Sequence, residues 1–317
     1  MNPPRTIIVG AGAIGATIAL ALKDRAPITV ADADPAVRRC FEGQGVPAIA
    51  PDRLRDAEAD LAVIATRAAA LPAVLAALPI RTAALCVANG LNFGAAGARP
   101  PHAAPARFGC VDFAADAPEP GRPRITQPGR LVIPDDLPGA ASLAGAFGPG
   151  PVAPLLTNDA VGHVWSKAVL NASLDPAAAL CGRTIGGAFA HRPAFLLIRR
   201  LLREAVAVAR AVGVTLHPVR GTRHDTMIRA FHAPLINRVA AFAAARQAAH
   251  VGSTMLADLR ARRPTECPYL CGAIAAAAAA AGRAELAPTH RRTDALFAEL
   301  LATGRPPTDA DLRALLS

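Results

Sequence analysis

Lysine is rare in this chain, and one of its lysines lies in a helical, apolar stretch. Lys and Arg together number 34, yet Lys23 and Lys167 are the only lysines in the sequence. Lys23 falls where the first long helix is predicted to end and needs only a positive charge there. Lys167 is different, because an ammonium group among apolar residues is costly unless it has a partner or a chemical role. The alternative is a solvated lysine on an exposed helix face.

Lys167 belongs to a line of polar residues on one predicted helix. In the stretch VWSKAVLNASLDP, Lys167, Asn171 and Asp175 are spaced by four residues, which puts them on one side of a helix. We predict that Asp159 caps the start of this helix and that Pro176 ends it. A lysine and an amide beside a buried stripe favour the wall of a binding cleft. The predicted stripe consists of Val161, Val164, Trp165, Ala168 and Ala172.

Hydroxyl and carboxylate side chains recur in a later helical stretch. Ser253 and Thr254 precede the segment MLADLR, and Thr265 and Glu266 follow the segment ARRP. Such groups can orient a polar substrate or assist a proton transfer.

A glycine-rich motif opens the chain between a predicted strand and a predicted helix. Gly10, Gly12 and Gly15 form GAGAIG, in which glycines permit a tight turn and a helix N-terminus offers N–H groups to a pyrophosphate. The strand that follows ends in VADAD, where Asp32, or secondarily Asp34, is placed to accept hydrogen bonds from a ribose. The pattern predicts a dinucleotide site, against a glycine-rich turn without a ligand.

The first half of the chain alternates short β-branched runs with helical stretches. This order is typical of a doubly wound parallel sheet, so we predict an α/β Rossmann domain over 1–155 and an all-helical domain over 156–317. A dinucleotide domain followed by a helical domain predicts a substrate cleft between them. The predicted helices are 13–24 and the stretches after Asp159, and the predicted strands are 6–12, 27–34, 60–67, 82–90 and 129–134.

Composition limits the class of protein. Hydrophobic residues make up 52% and charged residues 18%, and no apolar run reaches the roughly 20 residues of a membrane span, which predicts a soluble protein. The net charge of +10 is spread out, which favours small anionic ligands over nucleic acid. Scattered cysteines and histidines predict neither disulfides nor a metal site, and the N-terminus has no secretory pattern. We therefore expect a cytoplasmic protein.

Four segments in this order resemble the ketopantoate reductase (2-dehydropantoate 2-reductase) family over nearly the whole chain. They are GAGAIG, ANG at 88–90, WSKAVLN at 165–171 and STMLADLRARRPTE at 253–266. The resemblance implies NADPH-dependent reduction of a 2-keto acid to a 2-hydroxy acid on the route to pantothenate, and it leaves a homodimer open.

The resemblance also implies roles for single residues. Lys167 is implied as the catalytic lysine and Glu266 as its assistant at the reacting oxygen. Substrate contacts are implied for Asn89, Asn171 and Thr254, and Asp175 is expected to shape the same pocket. The motif and the resemblance together predict these cofactor-binding residues: Gly10, Gly12, Ala13, Ile14, Gly15, Asp32, Asp34, Arg67, Asn89 and Glu266.

The chemistry of a carbonyl reduction agrees with a lysine at this position. Hydride transfer to the carbonyl carbon leaves negative charge on oxygen, which an ammonium group can polarise and protonate. Burial would lower the pKa of Lys167 and a nearby carboxylate would raise it, a balance that Glu266 is suited to set.

Several residues depart from the family pattern. Asp32 and Asp34 stand where the family usually has a basic residue for a 2′-phosphate, which makes NADH as strong a candidate as NADPH, although Arg38, Arg39 or Arg67 could serve the phosphate. Asp175 and Ile185 stand where the family tends to have asparagines. The list of alternatives therefore includes an NAD-linked dehydrogenase of another branched or aromatic 2-hydroxy acid and, more remotely, a non-catalytic dinucleotide-binding regulator.

Overall fold

The computed structural model describes residues 3–234 and 236–317. The chain divides into two compact units, Met1–Val164 and Trp165–Ser317. In the described part of the chain, no helix is long and apolar enough to cross a membrane.

The first unit is built on a six-stranded sheet in the order β3-β2-β1-β4-β5-β6. All of its strand pairs are parallel, and the runs TIIV and LAVI are buried throughout, as expected for a sheet covered on both faces. The chain order reverses between β1 and β4, which is where such sheets open a crevice at their carboxyl edge. The strands are β1 Thr6–Val9, β2 Ile28–Ala31, β3 Ala48–Ile49, β4 Leu61–Ile64, β5 Ala83–Cys86 and β6 Ala106–Phe108, and the first helices are α1 Ala13–Leu22, α2 Pro35–Glu42 and α3 Leu71–Ala77.

The remainder of the first unit holds two smaller sheets. One has the order β11-β10-β7 and the other is the pair β8-β9. The predicted strand at 129–134 is confirmed as β10. These elements are β7 Cys110–Val111, β8 Ala114–Glu119, β9 Arg122–Gln127, β10 Gly129–Pro134, β11 Val152–Thr157 and α4 Ala140–Ala146.

The second unit is helical. Its helices are α5 Ala160–Leu180, which starts at the end of the first unit, α6 Ile185–Ala190, α7 Arg192–Ala211, α8 His224–His232, α9 Asn237–Gln247, α10 Thr254–Arg260, α11 Ala273–Ala280, α12 Pro288–Thr303 and α13 Asp309–Leu316, with a π-helical turn over Pro268–Gly272. A Rossmann-type sheet followed by a helical region is the fold predicted from the sequence, and that prediction is confirmed.

The predicted end of α5 is wrong. Asp159 does cap the helix, since its Oδ1 accepts a hydrogen bond from the Gly162 N–H at 3.0 Å, but the helix continues through Pro176 to Leu180. Proline removes the N–H that would bond the carbonyl of Ala172. The buried Cys271 thiol donates to that carbonyl instead, at 3.4 Å. A contact from a distant segment therefore lets the helix tolerate its proline.

Smaller differences concern strand ends and one apolar position. The strands predicted over 6–12 and 27–34 end at Val9 and Ala31, because the next residues form the glycine turn and the cap of α2. Val161, expected in the buried stripe, is 47% exposed, whereas the other four members of that stripe are buried.

Candidate active site

The glycine motif forms a turn between β1 and α1 in which each glycine has a different role. Gly10 has φ +82°, and an added Cβ would lie 2.8 Å from Thr66 Cγ2. A Cβ on Gly15 would overlap the carbonyl oxygen of Gly10, so glycine lets α1 start directly against the turn. Gly12 has an ordinary φ of −66°, and a Cβ there would have no atom within 4 Å. Gly12 therefore borders open space in this unit.

The N-terminus of α1 faces this space without a side-chain cap. Gly12 is the N-cap residue, its first turn carries Ala13 and Ile14, and no acidic residue lies in that turn. The first N–H groups of a helix have no acceptor within the helix, and they carry its positive dipole end. An uncapped helix start beside an open glycine fits the pyrophosphate of a dinucleotide.

Asp32 joins the glycine turn to the end of β2. Its Oδ2 accepts from the Ala11 N–H at 2.6 Å and its Oδ1 from the Asp34 N–H at 2.8 Å. Each carboxylate oxygen keeps a second lone pair, so Asp32 can still accept a ribose hydroxyl. Asp34 is engaged locally, since its Oδ1 accepts from the Ala36 N–H at 2.8 Å and caps α2.

A guanidinium group lies next to this acidic pair. Arg38 Nη1 donates to the backbone oxygens of Asp32 and Ala33, at 2.7 and 2.9 Å. The positive charge of Arg38 is therefore held at the end of β2, where sequence reasoning had named it only as one of three basic candidates.

Arg67 and Asn89 follow β4 and β5. Arg67 is exposed at the start of a short 3-10 turn, and the backbone oxygen of Asn89 accepts from Asn92 Nδ2 at 2.6 Å. Because carboxyl ends of parallel strands share one edge of a sheet, the topology brings the predicted cofactor residues of the first unit to that edge.

The polar line predicted on α5 is present in the second unit. Lys167, Asn171 and Asp175 are all partly exposed, whereas Ala168 and Ala172 beside them are buried. The helix therefore presents an ammonium, an amide and a carboxylate along one side while it packs by the other.

Asp175 links this line to the start of α10. Ser253 Oγ donates to Asp175 Oδ1 at 2.5 Å, and Thr254 Oγ1 donates to Asp175 Oδ2 at 2.9 Å. Ser253 also caps α10, because its Oγ accepts from the Leu256 N–H at 3.1 Å. Sequence reasoning named Thr254 but did not assign Ser253 to the site. Its position directly before a helical run was the available signal.

The ionised form of the Asp175 carboxyl is disfavoured by its surroundings. Burial raises its pKa to about 6, the charge of Glu266 adds to the increase, and the hydrogen bonds from Ser253 and Thr254 oppose it. Glu266 therefore lies close enough to Asp175 for their charges to interact. The second unit thus gathers the predicted residues Lys167, Asn171, Asp175, Thr254 and Glu266 in the segments α5, α10 and the turn before the π-helix.

Comparison with known proteins identifies the family. The family model described as "Ketopantoate reductase PanE/ApbA C terminal" matches residues 159–300. Over residues 159–300, the chain matches the ketopantoate reductase family. The family predicted from the sequence is therefore confirmed, and the matched range contains every residue of the second unit that was assigned to the site.

Curated 2-dehydropantoate 2-reductases match part of the chain. The 2-dehydropantoate 2-reductases of Streptococcus pyogenes serotypes M6 and M18 are each 27% identical over 187 residues, which is 55% of this chain and 60% of the relative. The chain thus spans about three-fifths of the length of the curated relatives it matches.

Solved structures share the fold over nearly the whole chain. A PanE/ApbA family ketopantoate reductase from Ralstonia eutropha JMP134 has a TM-score of 0.72 at 21% identity, covering 94% of this chain and 99% of that one. D-Mandelate dehydrogenase with NADH and anilino(oxo)acetate also has a TM-score of 0.72, at 18% identity, covering 97% and 99%. A dimeric ketopantoate reductase from Staphylococcus aureus has a TM-score of 0.68 at 16% identity, covering 95% and 100%.

Proposed function

We propose that this protein reduces a 2-keto acid to a 2-hydroxy acid with a nicotinamide dinucleotide. The observation that carries the proposal is the polar line of Lys167, Asn171 and Asp175, bonded through Asp175 to the start of α10. A helix with no chemical role has little reason to keep an ammonium, an amide and a perturbed carboxyl on one side.

The first unit would hold the dinucleotide at its glycine turn. The N–H groups at the start of α1 would bind the pyrophosphate, and Asp32 would accept a ribose hydroxyl. A bound nicotinamide would supply the hydride. Asp32 and Asp34 disfavour a 2′-phosphate by charge repulsion, while Arg38 favours one. We expect NADH to be used at least comparably to NADPH.

The second unit would supply the proton. The Lys167 ammonium would polarise the substrate carbonyl and protonate the oxygen as hydride reaches carbon, with Glu266 assisting at that oxygen. Asn171, and Asn89 of the first unit, would orient the substrate by hydrogen bonds. Thr254 already donates its proton to Asp175, so toward a substrate it would act as an acceptor.

Ketopantoate is the leading substrate, and Asp175 favours a second candidate. The Asp175 carboxylate accepts hydrogen bonds from two hydroxyl groups, so the part of the pocket around it offers mainly hydrogen-bond acceptors. This changes which substrates the pocket recognises. We therefore also propose an NAD-linked 2-hydroxy-acid dehydrogenase, in line with the fold shared with D-mandelate dehydrogenase. A homodimer and a cytoplasmic location stay predictions.

Turnover of the purified protein tests the proposal. Ketopantoate, phenylglyoxylate and 4-methyl-2-oxopentanoate are offered with NADH and NADPH in parallel, and we expect oxidation of the nucleotide with at least one acid. Absence of turnover with all six pairs, at a dinucleotide concentration shown to bind, contradicts the reductase assignment. A preference of about a hundredfold for NADPH in kcat/KM would show that a basic residue overrides the acidic pair.

Substitution of the two lysines tests the proton donor. Lys167→Ala should lower kcat by about 10²–10⁴, as for a positioned acid. Lys167→Arg should not restore it, since a guanidinium is too weak an acid to give up a proton readily. Lys23→Arg is the matched control and should leave kcat unchanged. Near-normal kcat in Lys167→Arg contradicts proton donation and leaves Lys167 a purely electrostatic role.

A further inference from the structure

A cavity lies inside the second unit, bordered by α6, α7 and α9. It has a volume of about 640 Å³, within the range of small-molecule sites in proteins. Its apolar walls come from Phe189, Phe195, Leu196 and Phe242. None of these residues was assigned to the site proposed above.

Aromatic residues are concentrated here. Phe189, Phe195 and Phe231 form a three-ring cluster with centroid distances of 5.5 to 6.2 Å, and Phe242 is 64% exposed at the cavity edge. Of the ten phenylalanines in the chain, three line this cavity, and Phe231 packs against two of those three. An exposed ring above a buried aromatic floor is typical of a binding surface.

The polar residues of this cavity are one-sided in charge. Arg192, Arg199 and Arg238 line it, and no acidic side chain does so among the residues that the structure describes. Arg199 is partly buried, its guanidinium carbon lies 5.9 Å from the Phe195 ring centroid, and its Nε is buried with no hydrogen-bond partner in the described chain. The adjacent Arg200, by contrast, contacts Glu204 at 3.8 Å.

A guanidinium group whose Nε is buried without a hydrogen-bond partner, beside apolar walls, favours an anion. A donor withdrawn from water without an acceptor costs free energy, and a carboxylate or phosphate matches a guanidinium with charge-assisted hydrogen bonds. The phenylalanine walls would at the same time bury an apolar body. A second copy of this chain fits poorly, because a symmetric contact would set this arginine cluster against itself in a protein of net charge +10.

We propose that this cavity binds a small amphiphilic anion, namely an alkyl or aryl group that carries one carboxylate or phosphate. Arg199 binds the head group, with Arg192 and Arg238 at the rim, and the phenylalanines enclose the apolar part. This site is separate from the proposed reductase chemistry and does not depend on it.

Calorimetric titration of the whole protein with sodium decanoate tests the proposal. We expect one bound decanoate per chain, and binding at least about tenfold weaker for 1-decanol, which lacks the charge, and for acetate, which lacks the tail. Decyl phosphate in place of decanoate identifies the preferred head group. Equal binding of decanol and decanoate, or adsorption to phosphatidylglycerol vesicles without binding of the monomeric anions, overturns the proposal.

Variants locate the site. Arg199→Gln should weaken decanoate binding at least about tenfold, whereas Arg291→Gln, which removes an exposed charge on α12, should leave it unchanged. If Arg199→Gln does not fold, Phe242→Asp decides, because it places a carboxylate at an exposed edge position and should weaken binding similarly. The proposal fails if these variants bind like the unmodified protein, or if Phe242→Asp only dissociates a dimer that does not bind decanoate.

Discussion

The substitution Asp175→Asn should stabilise the protein, and only above a defined pH. The amide keeps the shape of the carboxyl and can still pair with both hydroxyls, because Ser253 and Thr254 can accept as well as donate. It removes the charge that burial and Glu266 oppose. We therefore expect that replacing a carboxyl group with two hydrogen bonds increases the free energy of unfolding rather than lowering it.

The size of the effect follows from the pKa of Asp175. The value is raised from an ordinary 3.8 to about 6, and each unit corresponds to about 1.4 kcal/mol. Below about pH 3 the carboxyl is protonated in both the folded and the unfolded chain, so it costs nothing. Between about pH 3 and pH 6 the unfolded chain releases the proton and the folded chain retains it, so stability falls as pH rises. Because the side chain is partly hydrated, we expect the Asp175→Asn substitution to add about 1–3 kcal/mol above pH 6.

The chain carries its own reporter for this measurement. It has a single tryptophan, and Trp165 is 5% exposed on the same helix as Asp175. Its fluorescence in urea therefore follows the unfolding of the region that contains the substitution. The free energy of unfolding is compared between the two proteins at half-unit steps from about pH 3 to about pH 8.

The pH dependence separates this explanation from its alternatives. We expect equal stabilities near about pH 3 and a difference that grows to a plateau above about pH 6. A variant that is less stable than the unmodified protein by the same amount at every pH would refute the reasoning. That result would mean that the carboxylate is stabilised by its hydroxyl donors more than burial and Glu266 destabilise it.

Three further substitutions test other parts of the structure. Gly12→Ala should leave the melting temperature nearly unchanged, yet weaken NADH binding at least about tenfold, because the added methyl group enters the open side of the glycine turn. Gly15→Ala should instead lower the free energy of unfolding by about 1–3 kcal/mol, because its methyl group overlaps the Gly10 carbonyl oxygen. Calorimetric binding and thermal melts distinguish the two variants. Cys271→Ala should cost about 1–3 kcal/mol in urea unfolding, because a buried carbonyl on α5 loses its donor, and Cys271→Ser should recover most of it. Asp311→Asn should behave oppositely to the Asp175 variant. Its arginine partner lowers the pKa of Asp311 to about 2, so the loss should be about 1 kcal/mol at pH 7 and should vanish as pH falls toward 2.

The sequence predicts much of the fold because its strongest signals are local. The glycine turn needs only neighbouring residues, and the positive φ of Gly10 and the close packing at Gly15 agree with the motif. The buried strands read as short β-branched runs, and the polar line on α5 follows from helical spacing alone. Each of these depends on residues within about two helical turns of one another.

The partners of Asp175 could not be predicted in this way. Its hydroxyl donors are 78 and 79 residues away in sequence, and spacing along a helix says nothing about which distant segment packs against it. The same applies to Arg38, whose bonds to backbone oxygens depend on how α2 follows β2. The predicted cofactor and substrate roles of these residues remain to be tested by the experiments above.

The contacts around Pro176 show how α5 depends on the segment from Ser253 to Cys271. The carbonyl of Ala172 has no backbone donor, because Pro176 lacks an N–H, and it accepts from the Cys271 thiol instead. The carboxylate of Asp175 accepts hydrogen bonds from Ser253 and Thr254 at the start of α10. The segment from α10 to the π-helical turn therefore binds α5 at two points within about one helical turn, through groups that α5 cannot satisfy by itself. Because Ala172 and Asp175 follow Lys167 on the same helix, the segment from α10 to the π-helical turn holds in place the helix that carries Lys167 and Asn171.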